Sequence, residues 1–147
     1  MKGTGERQTL STIFLIDDSP VDRFMAREAL EQEGFRVIEC DSGEAGLSAC
    51  AEHLPDCVLL DVKMPRMNGF ETCAALRATE HGTHLPVLML TGLDDVDSIN
   101  RAYEAGATDF YSKPINCAVL IHRVRYLLRA KQIQESAEDK SDGAEAE

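Results

Sequence analysis

Asp17 and Asp18 directly follow the apolar run Ile13-Phe14-Leu15-Ile16, and Asp61 directly follows Cys57-Val58-Leu59-Leu60. A third apolar run, Pro86 to Leu90, stops at Thr91, and Lys113 stands in Phe110-Tyr111-Ser112-Lys113-Pro114. If these runs are buried parallel strands, their carboxyl ends bring all of these side chains to one sheet edge, where open α/β sheets bind ligands. Three carboxylates gathered there repel one another unless a cation sits among them, and a hard divalent ion with oxygen ligands is the expected resident. Asp61, ending the most apolar strand, is the best placed nucleophile. A carboxylate accepts a phosphoryl group as an acyl phosphate when charge is neutralised on both sides. A metal held by Asp18 and Asp61, with Asp17 helping through water, would neutralise one side, and Lys113, a compact point charge, the other. The Thr91 hydroxyl would serve a further phosphoryl oxygen, and Gly92 beside it leaves room for a donor.

The elements that must position these groups alternate along the chain. Strands are expected at Thr12 to Asp17, Arg36 to Cys40, Cys57 to Asp61, Val87 to Leu90 and Thr108 to Tyr111. Ser19 caps a first helix with Pro20 in its first turn, and its apolar positions Val21, Phe24, Met25, Ala29 and Leu30 fall near a 3.6-residue period. Gly34 ends it. Further helices are expected from Ser42 to about Glu52, around Phe70 to Leu76, from Asp94 to Ala105, and from Asn116 to at least Gln132 with Val119, Leu120, Val124, Leu127 and Leu128 inward. Five βα units in succession specify a doubly wound parallel sheet. Residues 1–11 read as an N-terminal extension and 12–132 as the single domain. Residues 133–147, an acidic stretch rich in Glu, Ser and Ala, read as a disordered tail or the start of a linker.

With 15 basic and 26 acidic residues the formal charge is −11. That balance argues against bulk binding to nucleic acid or anionic membrane, both of which need a positive surface. There is no apolar stretch of bilayer length and no signal-peptide core, so a cytoplasmic location is expected. Five cysteines, Cys40, Cys50, Cys57, Cys73 and Cys117, form no CxxC and are odd in number, and they read as buried thiols in a reducing cytoplasm. His53, His81, His84 and His122 lack paired ligand spacing. Asp94, Asp95 and Asp97 read as the acidic first turn of the fourth helix, not as a second metal site.

Five segments in order resemble the receiver domain of two-component response regulators: Phe14 to Asp18; Asp61 to Pro65 with Asn68-Gly69; Met89 to Gly92; Gly106 to Phe110; and Lys113-Pro114. The spacing, 43 residues from Asp18 to Asp61, 30 to Thr91 and 22 to Lys113, carries more weight than any one motif. The resemblance implies a flavodoxin-like sheet of order 2-1-3-4-5. It implies Asp61 as phosphoacceptor from a histidine kinase or phosphotransfer protein, and Mg²⁺ held by Asp18, Asp61 and the backbone carbonyl of Lys63. It further implies a cis Lys113-Pro114 peptide and a switch pair of Thr91 and Phe110, the latter in place of a frequent tyrosine. Lys63 and Leu93, two positions after Asp61 and Thr91, occupy places that tune dephosphorylation in resembling domains. A homodimer through the face of the fourth helix, fifth strand and last helix is a further expectation, with Arg123, Arg125, Arg129 and Lys131 set against acids such as Glu104 and Asp109. The segments from Leu90 to Asp95 and Arg123 to Arg129 resemble receivers attached to cyclic-di-GMP enzymes, so an attached output domain in a longer chain is one expectation and a stand-alone module the other. Such a domain catalyses only its own phosphorylation and dephosphorylation.

Two other readings share the sheet edge. A metal-dependent phosphatase with an aspartyl-phosphate intermediate needs a second acid two residues after its nucleophile, and that position is Lys63. A phosphorylation-independent docking module would keep the scaffold without the chemistry.

Overall fold

The computed structural model describes residues 10–92 and 95–146, with side chains described as far as residue 137. The elements are β1 (Thr12–Ile16), α1 (Pro20–Gln32), β2 (Arg36–Cys40), α2 (Gly43–Glu52), β3 (Cys57–Asp61), α3 (Gly69–Arg77), β4 (Val87–Thr91), α4 (Val96–Glu104), β5 (Asp109–Ser112) and α5 (Cys117–Ala146). All strand pairs are parallel and the sheet order is β2-β1-β3-β4-β5, as the five βα units and the family resemblance imply.

Each β-strand side chain points opposite to the next, so the sheet divides its apolar residues between two layers. Phe14, Ile16, Val58, Leu60 and Met89 pack under Cys50, Phe70, Cys73 and Leu76 of α2 and α3. Ile13, Leu15, Leu59, Leu88 and Leu90 pack under Ala26 and Leu30 of α1 and Leu120, Val124 and Leu127 of α5. β3 and β4 are buried at every residue, the pattern of central parallel strands covered on both faces. Side-chain caps start the helices: Ser19 Oγ accepts from Asp22 N–H, Ser42 Oγ from Ala45 N–H, and Asn68 and Glu71 form a reciprocal capping box.

Three expectations need correction. In α1, Val21, Phe24 and Met25 stand 66%, 62% and 57% exposed, and only Ala26 and Leu30 are buried. The helix is turned by polar anchors: Arg23 donates to the Asp17 carbonyl and pairs with Glu39, which leaves the larger apolar row outside. In α5, Val119 faces outward and Ile121 inward. That same helix continues to Ala146, through the stretch read as a disordered tail or the start of a linker, and departs from the first of those two readings. Ala, Glu, Lys and Gln there are strong helix formers, and propensity prevails where no apolar face is required. Asp95 is the cap of α4 and Asp97 lies in its first turn, while residues 1–9, Leu93 and Asp94 lie outside the described residues.

No helix among the described residues is long and apolar enough to cross a membrane. All five cysteines are free, four of them buried, and burial pushes the Cys57 thiol up to about 12. Those buried thiols act as small hydrophobes.

Candidate functional site

Parallel registration brings the strand ends to one edge. Ile16 lies opposite Leu60, Asp61 opposite Leu90 and Thr91 opposite Ser112. The acids that follow β1 and the lysine that follows β5 therefore flank Asp61 at the end of β3. Backbone bonds fix the loops beyond the strands: Asp17 N–H donates to Cys40 O (3.1 Å), Val62 N–H to Leu90 O (3.1 Å), and Lys113 N–H to Thr91 O (2.6 Å).

Carboxylate oxygens of Asp17, Asp18 and Asp61 lie within 4.8 Å of one another. Asp17 and Asp61 are buried and Asp18 is exposed. Lys113 Nζ sits 3.0 Å from Asp61 Oδ1, 3.4 Å from Asp17 Oδ2 and 2.9 Å from Asp22 Oδ2. Burial raises the Asp61 pKa to about 6, and the neighbouring Asp17 and Asp18 charges add to that, while the hydrogen bond and charge of Lys113 oppose it. Burial raises Asp17 as well, against a Ser19 N–H bond and the Lys113 charge. Burial works against the Lys113 ammonium, but hydrogen bonds to Asp22 and Asp61 and the fields of Asp61 and Asp17 outweigh it, and its pKa is raised. One ammonium thus keeps its proton among acids it does not fully neutralise. A donor set of three carboxylates with that surplus of negative charge suits a hard divalent cation.

Thr91 is buried at the end of β4, and a Cβ on the adjacent Gly92 would meet no described atom within 4 Å. Phe110 lies one strand over, half-buried against the core layer of α2 and α3. Lys63 is exposed at the mouth with Asp18, and the Lys113-Pro114 peptide is cis. The structure thus brings Asp17, Asp18, Asp61 and Lys113 into one cluster, with Thr91 on the adjoining strand end and Phe110 set back from it.

The loop after β3 is held from behind by α3. Gly69 N–H donates to Val62 O (2.8 Å), and a Cβ on Gly69 would overlap the Asp61 carbonyl oxygen and come within 2.8 Å of Val62 Cα. Both obstacles are backbone, so they cannot swing aside. Gly69→Ala is expected to displace Asp61 and, on the phosphoacceptor reading, to reduce phosphoryl uptake about tenfold or more, measured as the initial rate with acetyl phosphate.

Two residues escaped sequence reasoning. Asp22 makes the shortest of the Lys113 ion pairs; in sequence an acid in the first turn of a helix reads as a dipole partner, and nothing marks it as a neighbour of Lys113. Arg101 of α4 lies over the Phe70 ring at 4.3 Å and lines the mouth beside Asp18 and Lys63. Its only signal is a basic residue one turn from the apolar face of α4. On the phosphoacceptor reading, Asp22→Asn should speed phosphoryl uptake from acetyl phosphate by up to about fivefold, the equivalent of the roughly 0.2–1 kcal/mol that a partly exposed ion pair is worth. Stopped-flow or intact-mass time courses measure it, and an unchanged or slower rate would contradict a resting-state hold on Lys113.

The fold and this cluster define a doubly wound α/β domain with an acidic site, flanked by a lysine, at the carboxyl edge of its sheet. Residues 13–125 match the family model described as the response regulator receiver domain. The chain belongs to the response regulator receiver family, whose members are signalling modules and not enzymes in the usual sense. It is 35% identical over 135 residues to the transcriptional regulatory protein AfsQ1 of Streptomyces coelicolor, covering 92% of this chain and 58% of that one. It is 36% identical to the response regulator PleD of Caulobacter vibrioides, covering 82% of this chain and 27% of that one. Among solved structures, chemotaxis protein CheY4 of Vibrio cholerae superposes with a TM-score of 0.78 at 28% identity, over 81% of this chain and 99% of that one. The chain spans about half the length of curated relatives such as AfsQ1 and the mycobacterial response regulator MprA.

Proposed function

We propose that Asp61 takes a phosphoryl group from a histidine kinase or phosphotransfer protein, and that the change is read on the face formed by α4, β5 and α5. The observation that carries the reading is the placement of a buried Asp61 between an acidic cluster and the Lys113 ammonium, 3.0 Å away. In the transfer an Asp61 carboxylate oxygen forms the new bond to phosphorus as the bond to the donor's nitrogen or acyl oxygen breaks. The electron pair stays with the leaving group. Lys113 meets charge on one side of the phosphoryl group and the Thr91 hydroxyl bonds an oxygen on another. Asp18, Asp61 and the Lys63 carbonyl would hold Mg²⁺, with Asp17 acting through water, and the ion when bound would neutralise the remaining phosphoryl charge. Once Thr91 has turned toward the phosphoryl group, space beside β4 is released for Phe110.

The exposed row Val21, Phe24 and Met25 on α1 adjoins Lys113 through a pocket lined by Asp22, Met25 and Pro114. It supports docking of the donor protein there. On the output side Val96, Tyr103 and Tyr126 stand exposed, and that face is where an attached domain, a separate partner or a second copy would sense the state. A dimer built there on crossed acid–base pairs must share groups already engaged within one chain, since Arg123 pairs with Asp109 (3.1 Å) and Arg125 with Glu33 (2.7 Å).

Intact mass after incubation with acetyl phosphate and Mg²⁺ tests the chemistry. One added phosphoryl group is expected, and none in EDTA. A folded, Mg²⁺-binding protein that gains no phosphoryl group from acetyl phosphate or from a histidine kinase would overturn the reading in favour of a docking module. Steady turnover of a generic phosphoester would instead favour the phosphatase.

A further inference from the structure

α5 is two helices' worth of sequence with opposite characters. Its first half, Cys117 to Lys131, carries Arg123, Arg125, Arg129 and Lys131 and no acid. Its second half carries Glu135, Glu138, Asp139, Asp142 and Glu145 against the single Lys140. This order opposes the helix dipole, which favours acids in the first turn and bases in the last. Among the described residues, the ion pair that draws the two halves together is the weak Lys131–Glu135, at 3.8 Å and with the base on the N-terminal side. Arg123 and Arg125 are engaged inside the chain by Asp109 and Glu33, so Arg129, Lys131 and the acids beyond them are the charges whose order gains little within one copy.

The core contacts of α5 stop at Leu128. Beyond it, Arg129 to Ala146 extends the helix by roughly 27 Å, and a lone helix of that length is marginal in water. Yet an apolar seam runs along the outer face at alternating spacings of four and three: Tyr126, Ala130, Ile133 and Ala137, with Val119 two turns earlier. Tyr126 is 61% and Ile133 65% exposed. Spacing of this kind is that of a two-helix seam.

We propose that this seam pairs with a second copy of the same chain, the two α5 helices running antiparallel. In a parallel pair the basic halves would lie side by side, as would the acidic halves, and each would repel its twin. Reversing one helix sets the basic half of each copy against the acidic half of the other. The same reversal fits the side chains: Tyr126 meets the partner's Ala137 and Ala130 meets the partner's Ile133, a large residue against a small one in every layer. The contact shares Tyr126 with the output face but uses neither α4 nor the phosphoacceptor, so it does not rest on the phosphoryl reading and is present without phosphorylation.

Sedimentation velocity of the full chain across a concentration series, in low and high salt, tests the association. A reversible dimer that weakens in high salt is expected. Arg129→Glu with Lys131→Glu should raise the dissociation constant about tenfold, Glu138→Lys with Asp142→Lys should do the same, and mixing the two variants should restore a heterodimer. Direction is read on a Cys117→Ser background: under mild oxidation Ala130→Cys should cross-link to Ile133→Cys in a mixture and not to itself. A monomer at every concentration overturns the proposal. So does self-cross-linking of Ala130→Cys, which would mean a parallel pair. So does a dimer indifferent to both charge reversals, or one that forms only with acetyl phosphate and Mg²⁺, which would place the contact on the face of α4, β5 and α5.

Discussion

Asp61→Asn is expected to abolish the phosphoryl adduct, with at least a hundredfold loss in intact-mass signal, and at the same time to make the metal-free protein more stable at neutral pH. The two effects have one origin. Asp61 is buried beside two other acids, and its pKa is raised from 3.8 to about 6. A carboxyl whose folded-state pKa is raised contributes stability below its unfolded value, and that contribution is lost as pH rises through about 6. Above that pH the folded chain carries a charge that burial disfavours, and asparagine removes it while Lys113 keeps Asp17 and Asp22. The gain is about 1–3 kcal/mol near pH 7.5, or roughly 3–10 °C in Tm, and it should vanish below about pH 4. On the proposed reading of the site, Mg²⁺ should reverse the ranking, because it would stabilise wild type by mass action and lose a ligand in the variant. Thermal melts of both proteins from pH 3.5 to 8, with and without Mg²⁺, provide the measurement. A variant that melts below wild type at pH 7.5 in EDTA would contradict the electrostatic account of the site.

The second large effect lies away from the chemistry. Arg77, the last residue of α3, donates to the carbonyls of Gly82 (2.6 Å), Leu85 (2.6 Å) and Gly106 (2.8 Å), and to Thr108 Oγ1 (3.2 Å). It ties the end of α3 to the loops before β4 and β5. Gly106, at φ +103°, must be glycine both for that backbone conformation and because a Cβ there would lie 2.7 Å from Arg77 Cγ. Arg77→Ala leaves three carbonyls short of a charged donor, at a cost of about 2–4 kcal/mol, or roughly 8–15 °C in Tm. Arg77→Lys, reaching fewer acceptors, should fall between. Urea or thermal unfolding checks both, and a loss under about 0.5 kcal/mol would mean that water replaces the arginine.

The sheet was legible because its strands are short apolar runs ending in polar residues, and β3 and β4, buried on both faces, leave no phase to misread. The acid cluster and Lys113 were legible for the same reason: parallel strands end together, so residues at strand ends meet whatever their separation in sequence. Helix faces were harder. Val21, Phe24 and Met25 have a core-like period, but Arg23 anchors α1 through a carbonyl that no periodicity reveals. Asp22 and Arg77 were invisible because Asp22 acts on Lys113, and Arg77 on Gly106 and Thr108, dozens of residues away, through side chains whose types have a commoner local explanation. The continuation of α5 was missed because low hydrophobicity argues against a core, not against a helix.

The position of the α1 row separates two kinds of change available to this chain. What reacts is set by side chains fixed to strand ends inside the sheet, whereas the surface proposed to meet a donor protein lies on the outer side of one helix and supports none of the core. Val21, Phe24 and Met25 can therefore drift without disturbing Asp61 or Lys113. Who may speak to this domain and what happens when it is spoken to are written in different residues. A lineage can rewire the first while inheriting the second intact.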